Sequence, residues 1–372
     1  MKRRNLIRNA ALGGTTAALA AACSPAANNT AGSGSLPRVS WTMAASWPTS
    51  LETIYGGAQT VADRVSAITD GRFTIDVYAG GELVPPLQVM DAVQDGTVQC
   101  GHTASYYYIG KSSALGFATA IPFGLNAQQH NAWMYRAGGL EAIHKIYADF
   151  GIISFPAGNT GTQMGGWFKR KINTVADLNG LKMRIPGMGG EVMSRLGVNV
   201  QVLPGSEVFL ALERGAIDAA EWVGPYDDRK LGLNTAAPFY YYPGWWEPGA
   251  TLDVLVNLNE WNALPPEYQE AFKTAAMEAN MMMLAQYDAL NAGALQELID
   301  SGTQLRPYST EILDAAREVA DELLTENAAS DPAFKEVFDR WSAFRERVRA
   351  WNTINELSFA SYAMGQGESN GK

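Results

Sequence analysis

Apolar and polar residues alternate singly along 39–43 and 73–78, which predicts strands that send one side chain inward and the next outward. Apolar groups recur at helical spacing over 54–68, and a short helix is expected at 87–93 before a short strand at 98–101. A helix over 132–150 and a buried strand over 152–155 complete a βαβ rhythm, which implies sheets flanked by helices. A second block repeats it, with strands at 181–185, 198–203 and 219–222 and helices at 191–196 and 207–214. Gly197 and Gly215 are helix stop signals, and Ser206 is expected to N-cap the second helix. A long apolar strand returns at 251–256. From residue 265 the pattern is helical to the end: 266–300 with Gly293 its weak point, then 310–327 and 332–360. The expected fold class is α/β, with two lobes joined near 157–160 and 247–252 and a ligand cleft between them.

The ends change the picture first. Met1-Lys2-Arg3-Arg4 opens a basic start, followed by a short small-residue and apolar stretch to Ala22, as an export signal has. Arg3-Arg4 before an apolar pair points to the twin-arginine route. Ala20-Ala21-Ala22-Cys23 resembles a lipoprotein processing site, with Leu19 one place further out than the usual aliphatic position. Cys23 is then either a lipidated mature N-terminus, anchored through a tether over 23–37, or incidental to plain cleavage. The other cysteine, Cys100, has no partner, so stability must come from the core. Loss of Lys2, Arg3, Arg4 and Arg8 would leave 24 basic against 38 acidic residues, near −14. That charge argues against nucleic acid and requires a local cation to capture any anion.

Three segments carry candidate chemistry: Gly158-Asn159-Thr160-Gly161-Thr162-Gln163-Met164-Gly165-Gly166-Trp167, Lys182-Met183-Arg184, and Glu221-Trp222-Val223-Gly224-Pro225-Tyr226-Asp227-Asp228. The first and third join small residues to polar groups and large aromatics, a mixture suited to a concave site for a small anion, and the second supplies cationic groups. Arg184, at the end of an apolar strand, is either a bidentate carboxylate anchor or one half of a salt bridge. Asn159 and Gln163 offer amide groups; Asn159 also suits a turn, and Gln163 also suits a metal through its carbonyl oxygen. Glu221, with Asp227, Asp228 and Glu247, makes an acidic side, whose oxygens suit Na+ or Ca2+ rather than zinc. Asp227-Asp228 after Pro225 reads more simply as an acid pair at a helix N-terminus. Tyr106-Tyr107-Tyr108 and the 240–246 run supply rings to both core and cleft. On the last helix Trp341, Phe344, Val348 and Trp351 form a stripe that meets either its own lobe or another subunit.

A catalytic reading finds little. His102, His130 and His144 are the three histidines, and no zinc, nucleophile-elbow or phosphate-loop motif occurs. His102 reads as a hydrogen-bonded core residue. Nothing pairs a nucleophile with a base.

At these segments the chain resembles the periplasmic solute receptors of TRAP transporters (tripartite ATP-independent periplasmic transporters). The segments 158–167, 221–228 and 240–247 resemble the subgroup that binds 2-oxo acids such as pyruvate. The resemblance implies a two-lobed periplasmic solute-binding fold with an interlobe cleft and a helical C-terminal segment. It places lobe I at 38–157 and 251–303, lobe II at 158–250, and C-terminal helices at 304–372. It gives Arg184 the substrate carboxylate. It assigns a bridging Na+ or Ca2+ to the Gln163 side chain, the Glu221 carboxylate and the Trp222 backbone carbonyl, with Glu247 a further contributor. Asn159 and Tyr106 or Tyr107 would complete the ligand shell. It further implies TRAP membrane permease subunits as partners, a homodimer through C-terminal helices, and no enzymatic turnover. Receptors for 2-hydroxy acids such as lactate, a periplasmic lyase acting on 2-oxo acids, and a sensory scaffold are the other readings.

Overall fold

A computed structural model describes residues 36–365, so the expectations on the leader, the twin-arginine pair and Cys23 lie outside the described residues. In chain order the strands are β1 (Val39–Ala45), β2 (Phe73–Tyr78), β3 (Cys100–Thr103), β4 (Ile152–Asn159), β5 (Trp167–Phe168), β6 (Lys182–Arg184), β7 (Asn199–Gln201), β8 (Ala219–Ala220), β9 (Phe239–Tyr242), β10 (Thr251–Asn257) and β11 (Gln304–Pro307). They form two sheets, ordered β2-β1-β3-β10-β4 and β11-β9-β5-β8-β6-β7.

In the first sheet β1 runs parallel to β2 and β3, and β10 runs antiparallel to both β3 and β4. Strands β1, β3 and β4 therefore end at one edge of the sheet. In the second, β6 is parallel to β7 and β8, so these also end together. Open α/β sheets present ligands at such carboxyl ends. The ends of β3, β4, β6 and β8 deliver the Tyr106–Tyr107 turn, Asn159, Arg184 and Glu221 respectively. The chain passes between the sheets from β4 to β5, from β9 to β10, and along the helix Pro266–Asp300 to β11.

Local sequence explains most elements. β10 (TLDVLVN) is buried at all seven positions because it lies between β3 and β4, and its apolar run reflects that place. The 132–150 region is not one helix. It is two, Ala127–Arg136 and Gly139–Ala148, divided by Gly138 at φ 83°, a left-handed turn natural to glycine. Asn126 opens the first of these with a capping box to Gln129. Ser206 is not the N-cap expected of it: the helix Gly205–Glu213 starts two residues before the expected 207, behind Pro204. The last helix is also divided, into Pro332–Asn352, a π-turn at Thr353–Leu357 and Ser358–Gly365. Strands β5, β9 and β11 are too short or too aromatic to read from alternation. β11 pairs in parallel with β9 and so ties the chain after the long helix to the second sheet.

The aromatic stripe is only partly covered by its own lobe. Trp341 is buried against Phe117, and Phe344 and Val348 pack on the same core, whereas Trp351 is 59 % exposed. No helix among the described residues is long and apolar enough to cross a membrane.

Candidate functional site

Arg184 is 1 % exposed and makes a buried ion pair through Nη1 with Glu221 Oε1. The strand register sets this up. Arg184 is the last residue of β6 and sits opposite Ala220, the last of β8, so the next residue on β8, Glu221, meets the guanidinium. Two backbone carbonyls fix the rest of the fork: Nε donates to Leu203 O at 3.1 Å and Nη1 to Glu221 O at 3.0 Å. Nη2 lies 3.5 Å from the Tyr107 hydroxyl, and the guanidinium rests 5.0 Å from the Trp222 ring centre. Each guanidinium edge is thus held, which orients the group before any ligand arrives.

Arg184 faces a cavity of about 10 Å³, roughly room for one water, whose walls include Trp47, Tyr106, Tyr107, Thr160, Gln163 and Trp222. Arg184, Tyr106 and Tyr107, expected at the ligand, and Gln163 and Trp222, expected at the cation, therefore share one chamber. Asn159 is not among the walls. Its Nδ2 donates to Thr251 Oγ1 at 3.0 Å and to Gly249 O at 3.3 Å, and its Oδ1 accepts from Gly161 N at 2.8 Å. These bonds lock β4 to the start of β10, and in this conformation they occupy the amide that the resemblance gave to the ligand.

Three buried oxygens beside this chamber have no donor in good hydrogen-bond geometry: Gln163 Oε1, Glu221 Oε2 and Glu247 Oε2, with the Trp246 side chain near Glu221 and that of Gln163 near Glu247. Buried acceptors are normally paired. The loops that carry them are laced together, with Gln163 N donating to Glu247 O at 3.1 Å and Gly244 N donating to Gln163 O at 2.9 Å. Gln163 Nε2 donates to Thr160 Oγ1 at 3.1 Å, which identifies Oε1 as the free end of the amide. Burial pushes the Glu221 carboxyl above the usual carboxylate range, against the opposing pull of Arg184. Burial and the neighbouring Glu221 charge also hold Glu247 well above the usual carboxylate range. Two acids lie beside one guanidinium, and both are raised because one buried cation does not offset the burial of two carboxylates. Hard oxygen donors of this kind fit Na+ or Ca2+. Among the described residues no three His, Cys, Asp or Glu side chains gather as a metal site.

Asp228 supports this chamber from behind. Its Oδ1 accepts from Val223 N and Gly224 N at 3.1 and 3.0 Å, and its Oδ2 from Trp167 Nε1 and Tyr240 Oη at 2.9 and 2.7 Å. Asp227 accepts from Tyr287 Oη at 2.7 Å. The acid pair does lie in the first turn of the helix Pro225–Lys230. Both acids are buried, which the sequence did not indicate. Trp47 and Thr160 were also missed. Trp47 follows the carboxyl end of β1, the topological position that could have marked it.

His102 is fully buried and hydrogen-bonded at both ring nitrogens, to Trp47 Nε1 at 2.8 Å and to Ala157 O at 3.1 Å. Nδ1 accepts from the indole, so Nε2 carries the proton and donates to the carbonyl. Burial lowers its pKa to about 4. It is a neutral core residue at pH 7.

Known proteins resemble this chain over most of its length. The family model described as DctP, bacterial extracellular solute-binding protein family 7, matches residues 43–331. A monocarboxylate 2-oxoacid-binding periplasmic protein of a Nostoc species is 64 % identical over 363 residues, covering 98 % of this chain and 99 % of that protein. A TRAP transporter solute-binding protein of Bordetella bronchiseptica is 48 % identical with a TM-score of 0.88, covering 89 % of this chain and 98 % of that one. It is a mixed-occupancy dimer with copurified calcium and picolinate in one active site and an apo second site. TRAP periplasmic proteins of Colwellia psychrerythraea, with calcium and pyruvate, and of Pseudoalteromonas atlantica, with sodium and pyruvate, are each 38 % identical with TM-scores of 0.85. Each of these two alignments covers 87 % of this chain and 99 % of the other.

Proposed function

The chain belongs to the DctP family of bacterial extracellular solute-binding proteins, family 7, and from that premise we propose that it is the periplasmic receptor of a TRAP transporter for small 2-oxo monocarboxylates. Arg184 takes the ligand carboxylate. Gln163, Glu221 and the Trp222 carbonyl hold a bridging Na+ or Ca2+, with Glu247 as a further oxygen. Tyr106 and Tyr107 close over the ligand. Asn159 serves as a brace for the loop that carries Gln163. The observation that carries this reading is the set of three buried oxygens without a well-placed donor beside the Arg184 guanidinium.

The chemistry follows from charge. Glu221 and an incoming carboxylate compete for one guanidinium. A cation held by these residues would supply positive charge to Glu221 and so leave Arg184 free to take the ligand carboxylate. It also favours a ligand with two oxygens placed for a five-membered chelate, which 2-oxo acids have and simple carboxylic acids lack. Relatives with calcium or sodium together with pyruvate support the same pairing.

The lobes of this proposal are 38–157 with 251–303, and 158–250; the second sheet also takes in β11 at Gln304–Pro307, beyond both ranges. The receptor closes on its ligand and hands it to TRAP permease subunits without turnover. Export by the twin-arginine route, a lipid anchor at Cys23 and a homodimer formed through the C-terminal helices belong to the same proposal.

Calorimetry on the mature protein tests it. Pyruvate and 2-oxobutyrate are expected to bind, lactate more weakly, and propionate and succinate poorly. Dialysis free of Na+ and Ca2+ is expected to weaken pyruvate binding strongly. Pyruvate should be recovered chemically unchanged after incubation. Tighter binding of succinate than of pyruvate, or indifference to both cations, would overturn the reading.

A further inference from the structure

Three backbone carbonyls follow one another where the chain leaves β8, and the outer two are already bonded. Glu221 O accepts from Arg184 Nη1 at 3.0 Å, and Val223 O accepts from Met164 N at 3.0 Å. Among the described residues no N–H or O–H group donates to the carbonyl between them, that of Trp222. A backbone oxygen with free lone pairs is an ordinary ligand for Na+ or Ca2+.

Trp222 O and Val223 N belong to one peptide unit. The unit is planar and trans, so its oxygen and its N–H point in opposite directions. Asp228 Oδ1 accepts from Val223 N at 3.1 Å and from Gly224 N at 3.0 Å. Holding that N–H fixes the peptide plane and turns the Trp222 oxygen away from Asp228. The negative charge on the N–H side also polarises the unit and makes its oxygen a better partner for a cation. The short helix Pro225–Lys230 makes the contact possible: Asp228 N donates to Gly224 O at 2.9 Å, which brings the side chain back over the residues before the helix.

The second carboxylate oxygen reaches the other segments of the site. Asp228 Oδ2 accepts from Trp167 Nε1 at 2.9 Å and from Tyr240 Oη at 2.7 Å. Trp167 ends the glycine-rich loop that carries Gln163, and Tyr240 begins the aromatic run that leads to Glu247. One carboxylate, on a residue only 1 % exposed, therefore ties together the three segments that bear Gln163, Trp222 and Glu247.

We propose that Asp228 is the positioning residue of the cation site: it holds the 222–223 peptide so that the Trp222 carbonyl is aimed before a cation arrives, acting through that peptide and not as a ligand. This inference rests on the cation reading above.

The test is pyruvate calorimetry on the mature protein in Na+-free buffer at stepped Ca2+ concentrations. It separates the Ca2+ needed for half the maximal effect from the pyruvate affinity reached at saturation. Asp228→Asn keeps the size of the side chain, but an amide accepts on one side only, whereas donors converge on both oxygens of Asp228. The variant should raise the half-effect Ca2+ concentration at least tenfold and leave pyruvate affinity at saturating Ca2+ within threefold of wild type. Tyr240→Phe removes a donor from Oδ2 and leaves Val223 N on Oδ1, so it should lower the melting temperature but move the half-effect concentration less than threefold. A folded Asn variant with the wild-type Ca2+ requirement, or one weakened equally at every Ca2+ concentration, overturns the positioning role alone. If that variant does not fold, deuterium exchange on the wild type decides. The Val223 and Gly224 amides should exchange slowly even in cation-free buffer, because Asp228 holds them before any ion is present. Fast exchange that slows only when Ca2+ is added overturns the role. A wild type whose pyruvate affinity ignores both Ca2+ and Na+ overturns the cation reading and this inference with it.

Discussion

Arg184 binds its own protein on every edge of its guanidinium, and that gives the residue two separable jobs. Truncation to Ala strands Glu221 as a buried, unpaired acid beside Glu247. Breaking a buried pair in this way costs about 3–5 kcal/mol of stability. Arg184→Ala is therefore expected to lower the melting temperature as well as abolish pyruvate binding. Arg184→Lys keeps the charge but loses the fork, so it should melt closer to wild type and still bind pyruvate at least ~10-fold more weakly. Wild-type affinity in the folded Lys variant would remove Arg184 from the ligand site. Asp253 poses a different residue-scale question. It is buried on β10, and Ser105 donates to its Oδ2 while Oδ1 has no partner. Burial raises its pKa from 3.8 to about 8. Its folded value lies above its unfolded one, so its contribution to stability is complete below about pH 3.8 and is lost as pH climbs to about 8. His102 and His130, both lowered to about 4 by burial, contribute the opposite slope between about 4 and 6.5. Asp253→Asn isolates the acid: the variant should gain on wild type by up to about 1.4 kcal/mol per pH unit across that window. Denaturant unfolding of both proteins at pH 5 and pH 8 checks this, and an unchanged difference between them refutes it.

Elements were legible where their pattern is local. The helix Pro266–Asp300 starts at the residue its proline marks and ends where the pattern does. It packs on the first sheet through Phe272 and Ala276, and its later Tyr287 and Asn291 bond Asp227 Oδ2 and Tyr226 N beside the second. This helix is about 52 Å long, enough to lie along both sheets. Gly293, its weak point, is exposed, and a Cβ there would meet nothing within 4 Å. Gly293→Ala should therefore stabilise the protein by about 0.5–1 kcal/mol, read as a higher denaturant midpoint at constant slope. A lower midpoint would show that the glycine serves a bend. Elements were illegible where their pairing is remote. Strand β5 has two residues and exists because Ala219-Ala220 and Phe239-Tyr240 flank it, a condition that no window of sequence contains.

At the scale of the molecule the C-terminal end is unfinished as a surface. Trp351, Ile354, Leu357, Phe359, Tyr362 and Met364 are each 57–81 % exposed along the last two turns and helix. An apolar run this dense suits burial against another chain. The related Bordetella bronchiseptica protein is a dimer. Sedimentation of the mature protein is expected to give a dimer, and Trp351→Ser with Phe359→Ser to shift it toward monomer. Trp341 is unsuitable for this test: it is buried against Phe117, and replacing it would unfold the core. A wild type that stays monomeric at high concentration would end the idea.

Residue type and spacing in the sequence carried the α/β class, the run of long helices and the identity of Arg184, Gln163 and Glu221 as the polar groups worth following. Those signals are local: periodicity over a dozen residues, glycine and proline at element ends, an arginine closing an apolar strand. Tertiary structure decided who meets whom. Glu221 touches Arg184 because β6 and β8 are neighbours in parallel register, 37 residues apart in sequence. Asn159 turned inward to brace β10, although its chemistry suited a ligand equally well. One helical stripe divided into a buried Trp341 and an exposed Trp351 because the core ends between them. Periodicity names a face, and the partner that covers it comes from a distant part of the chain.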